Sequence, residues 1–219
     1  MVDCKRLFLY DGDMINHATK IDLLVEQVQK SVAHTSENGK NLVTPLPGLM
    51  VLRETRTTAL EATLYEPTAC LILQGSKETV VGDRVLRFGA GESLIISHDL
   101  AVVSRITEAS AARPYLALVF ALDVGILREL YGRVGAAELE AEQVSSAAVN
   151  HTDEGLIDAF GRYVGLVDTP LEAKILGPLI RTEIHFRLLM APHGGMLRRL
   201  LLHGSHESSI ARAIVQIRQ

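Results

Sequence analysis

The amino-acid sequence predicts an α+β protein: one helix, an antiparallel all-β module of sandwich or barrel type, then a run of helices. Three observations carry this. Between Pro47 and about Leu122, short apolar runs recur at intervals of roughly eight to twelve residues with turn residues between them, the spacing of antiparallel strands. On either side of that region the apolar period lengthens to that of a helix. Within it, Gly82-Asp83 separates the alternating runs of "KETVVGDRVLRF", a hairpin in which glycine supplies the positive φ.

In chain order, "TKIDLLVEQVQKSV" places Ile21, Leu24, Val25, Val28 and Val32 on one helical face, and "TSENGKNL" breaks it. Seven strand-like runs follow: "LMVLRE", "ACLILQ", "KETVV", "RVLRF", "SLIIS", "AVVSRI" and "YLALVFA". "FGAGES" reads as a tight turn, because it has no lysine for a phosphate loop and is followed by a strand rather than a helix. After it, "DVGILRELYGRVG" offers Asp123 as a helix cap with Ile126, Leu127, Leu130 and Tyr131 as the buried stripe. "DEGLIDAFGRYVGLV" gives Leu156, Ile157, Phe160 and Val164. A longer helix starts with Thr169 as cap and Pro170 at its first position, and Gly177-Pro178 should kink or divide it. The last stretch, "SIARAIVQIRQ", places Ile210, Ala213, Ile214 and Ile217 on one face and stops without a C-terminal signal. The expected division is 1–46, 47–122, 123–204 and 205–219.

The chain carries 22 basic and 26 acidic residues, a formal charge of −4, the wrong sign for a chain whose main partner is a phosphate backbone. Charge is divided, however: residues 181–219 hold six arginines against two glutamates. Two cysteines, Cys4 and Cys70, make no disulfide framework and favour a reducing compartment. No run reaches membrane-spanning length, since "YLALVFALDVGIL" is broken by Asp123. A soluble, cytoplasmic protein without a membrane partner is the expectation.

Catalysis finds little support. Of eight histidines only His98 falls in the expected β region, so a first-row metal would lack nitrogen ligands there. Ser97, His98 and Asp99 are the residue types of a triad, but neighbours along a strand end point in alternating directions. No metal and no cofactor are expected. An all-β module of this kind can still enclose a small molecule, with a few polar groups fixing its orientation. Arg53, Tyr65, Gln74, Ser97, His98 and Tyr115 lie on or beside strands and are the candidates.

Tyr65-Glu66-Pro67, Gln74-Gly75 with Lys77, Gly82-Asp83-Arg84 and "PLIRTEIHFRLL", in this order, resemble the N-terminal module of AraC-type bacterial transcriptional regulators, over about Leu23 to Gln219. The resemblance implies a cupin-like barrel or jelly roll, helices used in dimerisation, and a following domain with two helix-turn-helix motifs. It implies that this chain is the sensing half, cut before the part that reads DNA. Two departures stand out. "TALEATLYEPTACLIL" has none of the paired histidines of catalytic cupins, and Ala101 stands where similar sequences often carry proline. The implied partners are a small-molecule effector or a regulatory protein, a second copy of the chain, and DNA only through the absent domain. For pairing, the stripe Leu176, Leu179, Ile180, Ile184 and Leu188 is the candidate, with packing of that stripe onto the barrel as its alternative. The rival functions are a cupin-like enzyme acting on a metabolite and a purely structural dimerisation module with a filled barrel.

Overall fold

The structure, a computed structural model, describes residues 17–33, 42–134 and 147–201. Cys4, the C-terminal helix expected from Ile210 to Ile217 and the segment 205–219 lie outside the described residues.

Ten strands form two antiparallel sheets. They are β1 (Leu42–Leu46), β2 (Leu49–Glu54), β3 (Glu61–Tyr65), β4 (Thr68–Gln74), β5 (Ser76–Val81), β6 (Arg84–Gly89), β7 (Glu92–Ile96), β8 (Leu100–Glu108), β9 (Tyr115–Ala121) and β10 (Ala147–His151). The larger sheet runs β1-β2-β9-β4-β7-β10 and the smaller β3-β8-β5-β6. The helices are α1 (His17–Ala33), α2 (Val124–Val134), α3 (Glu154–Val164), α4 (Pro170–Met190) and α5 (Gly195–Leu201), with a 3-10 turn at Pro192–Gly194.

The larger sheet is the middle of three layers. One face, through Leu49, Val51, Leu71, Leu73, Ile95, Leu116, Leu118 and Phe120, packs on the helices. The other, through Cys70, Ile72, Leu94, Ile96, Tyr115 and Ala117, meets Phe88, Val102 and Ile106 of the smaller sheet. This burial on both sides explains why "ACLIL" is an unbroken apolar run, buried at every position, rather than an alternating one. In contrast, β8 borders solvent and alternates buried and exposed residues from Val102 to Ile106.

Local chemistry matches the expected turns. Gly82 (φ +61°) turns β5 into β6, with Val81 opposite Arg84, and Gly91 (φ +83°) turns β6 into β7. Asp123 caps α2 by accepting from the Gly125 and Ile126 amides at 2.9 and 3.2 Å. In α4, Pro170 stands at the first position after Thr169, and the helix continues as one element through Pro178 rather than dividing.

The sheets extend past both limits of 47–122. β1 pairs with β2, and β10 pairs with β7 along its whole length. β10 lies in the stretch read as helical because "AAVNH" is short and half-buried, too weak a pattern to stand out among helices. β3 is equally silent: its first four residues are exposed, so no apolar face marks it.

Candidate functional site

Alternation along β5 decides which side chains enter the space between the sheets. Lys77 stands opposite Phe88 and Ile106, both buried there, so Lys77 points inward and so does Thr79, two residues on. Thr79 stands opposite Ser104 of β8, and Tyr65 at the end of β3 reaches the same spot. Lys77 Nζ donates to Tyr65 Oη at 2.6 Å and lies 5.3 Å from the centre of its ring. Tyr65 Oη is 3.4 Å from Ser104 Oγ.

Tyr115 of β9 and Cys70 of β4 face this group from the larger sheet. Burial pushes the Cys70 thiol up, opposed by the Lys77 charge, and pushes the Tyr115 phenol well above its ordinary value. Both are therefore neutral at physiological pH. Thr79 Oγ1 is fully buried and finds no hydrogen-bond partner among the described residues, and Tyr115 Oη, also buried, has the Cys70 thiol as its weak partner. Around these polar atoms the lining is apolar: Ile72, Phe88, Leu94, Ile96, Val102 and Ile106.

Of the six residues expected at a ligand site, Tyr65 and Tyr115 come together here. Arg53 does not: it continues the face of β2 that carries Leu49 and Val51, away from the barrel interior, and is exposed. Gln74 is spent on structure, its Nε2 donating to the Pro114 carbonyl at 2.6 Å. Ser97 and His98 are buried and bond to each other, Ser97 Oγ to His98 Nδ1 at 3.1 Å. The expectation that they diverge fails because β7 ends at Ile96 and the chain bends at His98, which ends the strand alternation. Lys77, Thr79 and Ser104 were not among the candidates. The available signal was the hairpin itself, whose register around Gly82-Asp83 sets a lysine opposite Phe88. Among the described residues no three His, Cys, Asp or Glu side chains converge as metal ligands.

The stripe expected to dimerise splits. Ile184 and Leu188 are fully buried against the larger sheet and its helices, and Ile180 packs partly on that core. Leu176 and Leu179 are exposed. A step of four residues overshoots one turn by about 40°, so a stripe followed at i+4 winds from one face of a straight helix to the other. The exposed ridge of α4 is instead Leu171, Ile175, Leu176, Leu179, Phe186 and Met190, opposite the buried face.

The family described as AraC-type transcriptional regulator N-terminus matches residues 45–196. Among curated proteins none matches. Solved structures similar to the chain include an apo variant of ToxT from Vibrio cholerae, 10% identical over 72% of this chain and 60% of that one, with a TM-score of 0.48. The AraC-like transcriptional activator CuxR is 17% identical over 65% of this chain and 51% of that one, with a TM-score of 0.34. A cupin-2 domain protein from Shewanella frigidimarina is 9% identical over 34% of this chain and 69% of that one, with a TM-score of 0.26. The chain thus spans 60% of the length of the ToxT chain it resembles.

Proposed function

Because the chain belongs to the family of AraC-type transcriptional regulator N-termini, we propose that it takes up a small-molecule effector between its two sheets and pairs with a second copy through α4. The observation that carries the first half is a set of polar side chains buried in an apolar interior, Lys77, Tyr65 and Tyr115 beside Thr79, whose Oγ1 has no hydrogen-bond partner among the described residues. Buried polar groups in folded proteins are nearly always satisfied, so an orphan hydroxyl in the midst of this polar cluster points to a missing guest. The second half rests on the ridge from Leu171 to Met190: a helix about 30 Å long with apolar residues on both faces has one face covered by its own core and one face bare. A two-fold axis lets such a ridge cover itself.

In this reading the β-strands from Leu42 to His151 bind, the helices from Glu154 to Leu201 carry the pairing face, and the guest is held without being transformed. DNA is contacted elsewhere in the regulator, in keeping with the charge of −4. A cytoplasmic setting fits the sparse cysteines, and no helix among the described residues is long and apolar enough to cross a membrane.

The test is methyl NMR with labelled isoleucine, titrated with pooled cellular metabolites. Ile72, Ile96 and Ile106 should shift saturably with at least one pool while Ile175 and Ile184 stay in place. If no pool moves the interior methyls, or all methyls move together, the effector reading fails.

A further inference from the structure

We propose that the outer face of the smaller sheet docks a short amphipathic helix of a partner protein, apolar on one side and acidic along its flank. This goes beyond the effector and pairing readings and depends on neither.

Because Lys77 and Thr79 point inward, Glu78 and Val80 point outward, and strand pairing carries that outward face across the sheet. Ala62, Val103, Val80 and Val85 stand side by side in one apolar row over all four strands. Two residues along the strands on one side, Leu64 stands beside Ala101, and Gly82 closes the same groove at the hairpin turn. The groove is open and holds about 410 Å³, a depression made by the small residues Ala62, Ala101 and Gly82. Large apolar side chains left exposed among the described residues gather, Leu23 apart, in two places. One is the α4 ridge, and the other is this face, with Leu64, Val85 and Val103 and, just before β3, Leu60.

Two residues along on the other side of the apolar row, Arg105, Glu78 and Arg87 stand side by side. Glu78 accepts from Arg87 Nε at 2.8 Å and from Arg105 Nε at 3.1 Å. Its side chain is 8% exposed, whereas those of Arg87 and Arg105 are 77% and 44% exposed. A guanidinium has five N–H donors, so each arginine is anchored at one edge and keeps donors for a further acceptor. The row carries one positive charge in excess, and Asp83 and Arg84 in the adjoining turn balance each other. On a chain of net charge −4 this is a local reversal, and it selects an acidic partner.

The dimensions select a helix. Four strands about 4.8 Å apart make the apolar row about 14 Å long, the length of about ten helical residues. A helix laid along the row lowers its apolar stripe into the groove and turns one flank to the arginines. A phosphate backbone would meet the arginines but leave the apolar row and groove bare.

The experiment titrates the full 219-residue chain with two cross-linked helical peptides that share one leucine stripe, one with glutamates along its flank and one with lysines. Methyl signals of Leu64, Val80, Val85 and Val103 report this face, and those of Leu171 and Leu179 report α4. The glutamate peptide should shift the first set and bind about tenfold or more tighter than the lysine peptide, the order expected when partly exposed charge contacts are reversed in sign. The triple variant Arg87→Gln, Glu78→Gln and Arg105→Gln should lose that preference. Ala101→Phe, which fills the groove, should weaken the glutamate peptide about tenfold. Equal binding of the two peptides, or no movement of this face with either, overturns the proposal. Two other occupants also overturn it: a second copy, seen as concentration-dependent shifts of the same methyls without peptide, and a DNA duplex that moves them where the glutamate peptide does not. Should the triple variant not fold, the glutamate-to-lysine ratio in the unaltered chain, with Ala101→Phe, decides.

Discussion

At Gly75 the chain leaves β4 for β5 with φ +81°, and a Cβ there would lie 2.4 Å from the Glu108 carbonyl oxygen and 3.2 Å from the Tyr115 Cα. Both neighbours are backbone, so neither can step aside. Gly75→Ala combines this overlap with a left-handed conformation and should cost about 2–4 kcal/mol, read as a fall in Tm of roughly 5–10 °C. Loss of stability near zero would mean the corner is not held as described. His185 sets a pH limit. It is fully buried, its Nε2 accepts from the Asp123 amide at 2.8 Å, and its Nδ1 donates to the Arg181 carbonyl at 2.7 Å. Phe120 packs edge-on against the ring, and Asp123 and Arg181 are the charged groups beside it. The bond that Nε2 accepts needs the neutral imidazole, and burial, with the Arg181 charge, holds its pKa below 6.5. The unfolded chain therefore binds the proton first, so this stabilisation is complete above pH 6.5 and drains away as the pH falls below it. His185→Gln should unfold at a lower temperature than the unaltered chain at pH 7.5, and the gap should narrow by pH 5.5. A gap that stays constant or widens would contradict the neutral assignment.

At the scale of elements, α4 shows what a periodicity reading sees and what it loses. Ile184 and Leu188 do belong to an apolar stripe, but one turned toward the protein's own core, while Leu171 and Ile175, outside that stripe, lie on the exposed ridge. Substitutions separate the two faces. Leu179→Glu should convert a dimer to a folded monomer by sedimentation, whereas Ile184→Glu should unfold the domain. A Leu179→Glu chain that remains a dimer would remove α4 as the pairing face. The hairpin at Gly82-Asp83 was legible because turn chemistry is local, as was the Asp123 cap. Lys77 was legible only in part: its strand showed, but its inward face depends on pairing with β8, which lies about 25 residues further along. β3 and β10 were not legible, since edge strands owe their form to a neighbour rather than to their own residues.

Taken whole, the molecule carries net negative charge despite the arginines of its last forty residues. Of these, Arg181 is tied to Asp123 at 3.6 Å and Arg187 to Glu183 at 2.8 Å, so the basic drift visible in sequence is partly neutralised in the fold. The 219-residue chain should bind a mixed-sequence duplex weakly, without sequence preference, and lose it by roughly 150–200 mM salt. Fluorescence anisotropy at two salt concentrations checks this; tight, salt-resistant binding to one sequence would show that these residues themselves read DNA.

The same long reach has a temporal side. The first helix is stitched to α3 and the turn before it: His17 Nε2 is 2.9 Å from the Thr152 carbonyl oxygen, Lys20 bonds Asp158 at 2.9 Å, and Gln27 donates to the Gly161 carbonyl at 2.9 Å. Each link closes a loop of more than 130 residues, and β2 likewise waits for β9. During synthesis α1 leaves the ribosome with Ile21, Leu24 and Val28 bare, and the surface that will cover them has not yet been translated. For that interval, several seconds at ordinary elongation rates, the nascent chain presents a greasy helix to the cytosol, a natural substrate for a chaperone that binds short apolar segments.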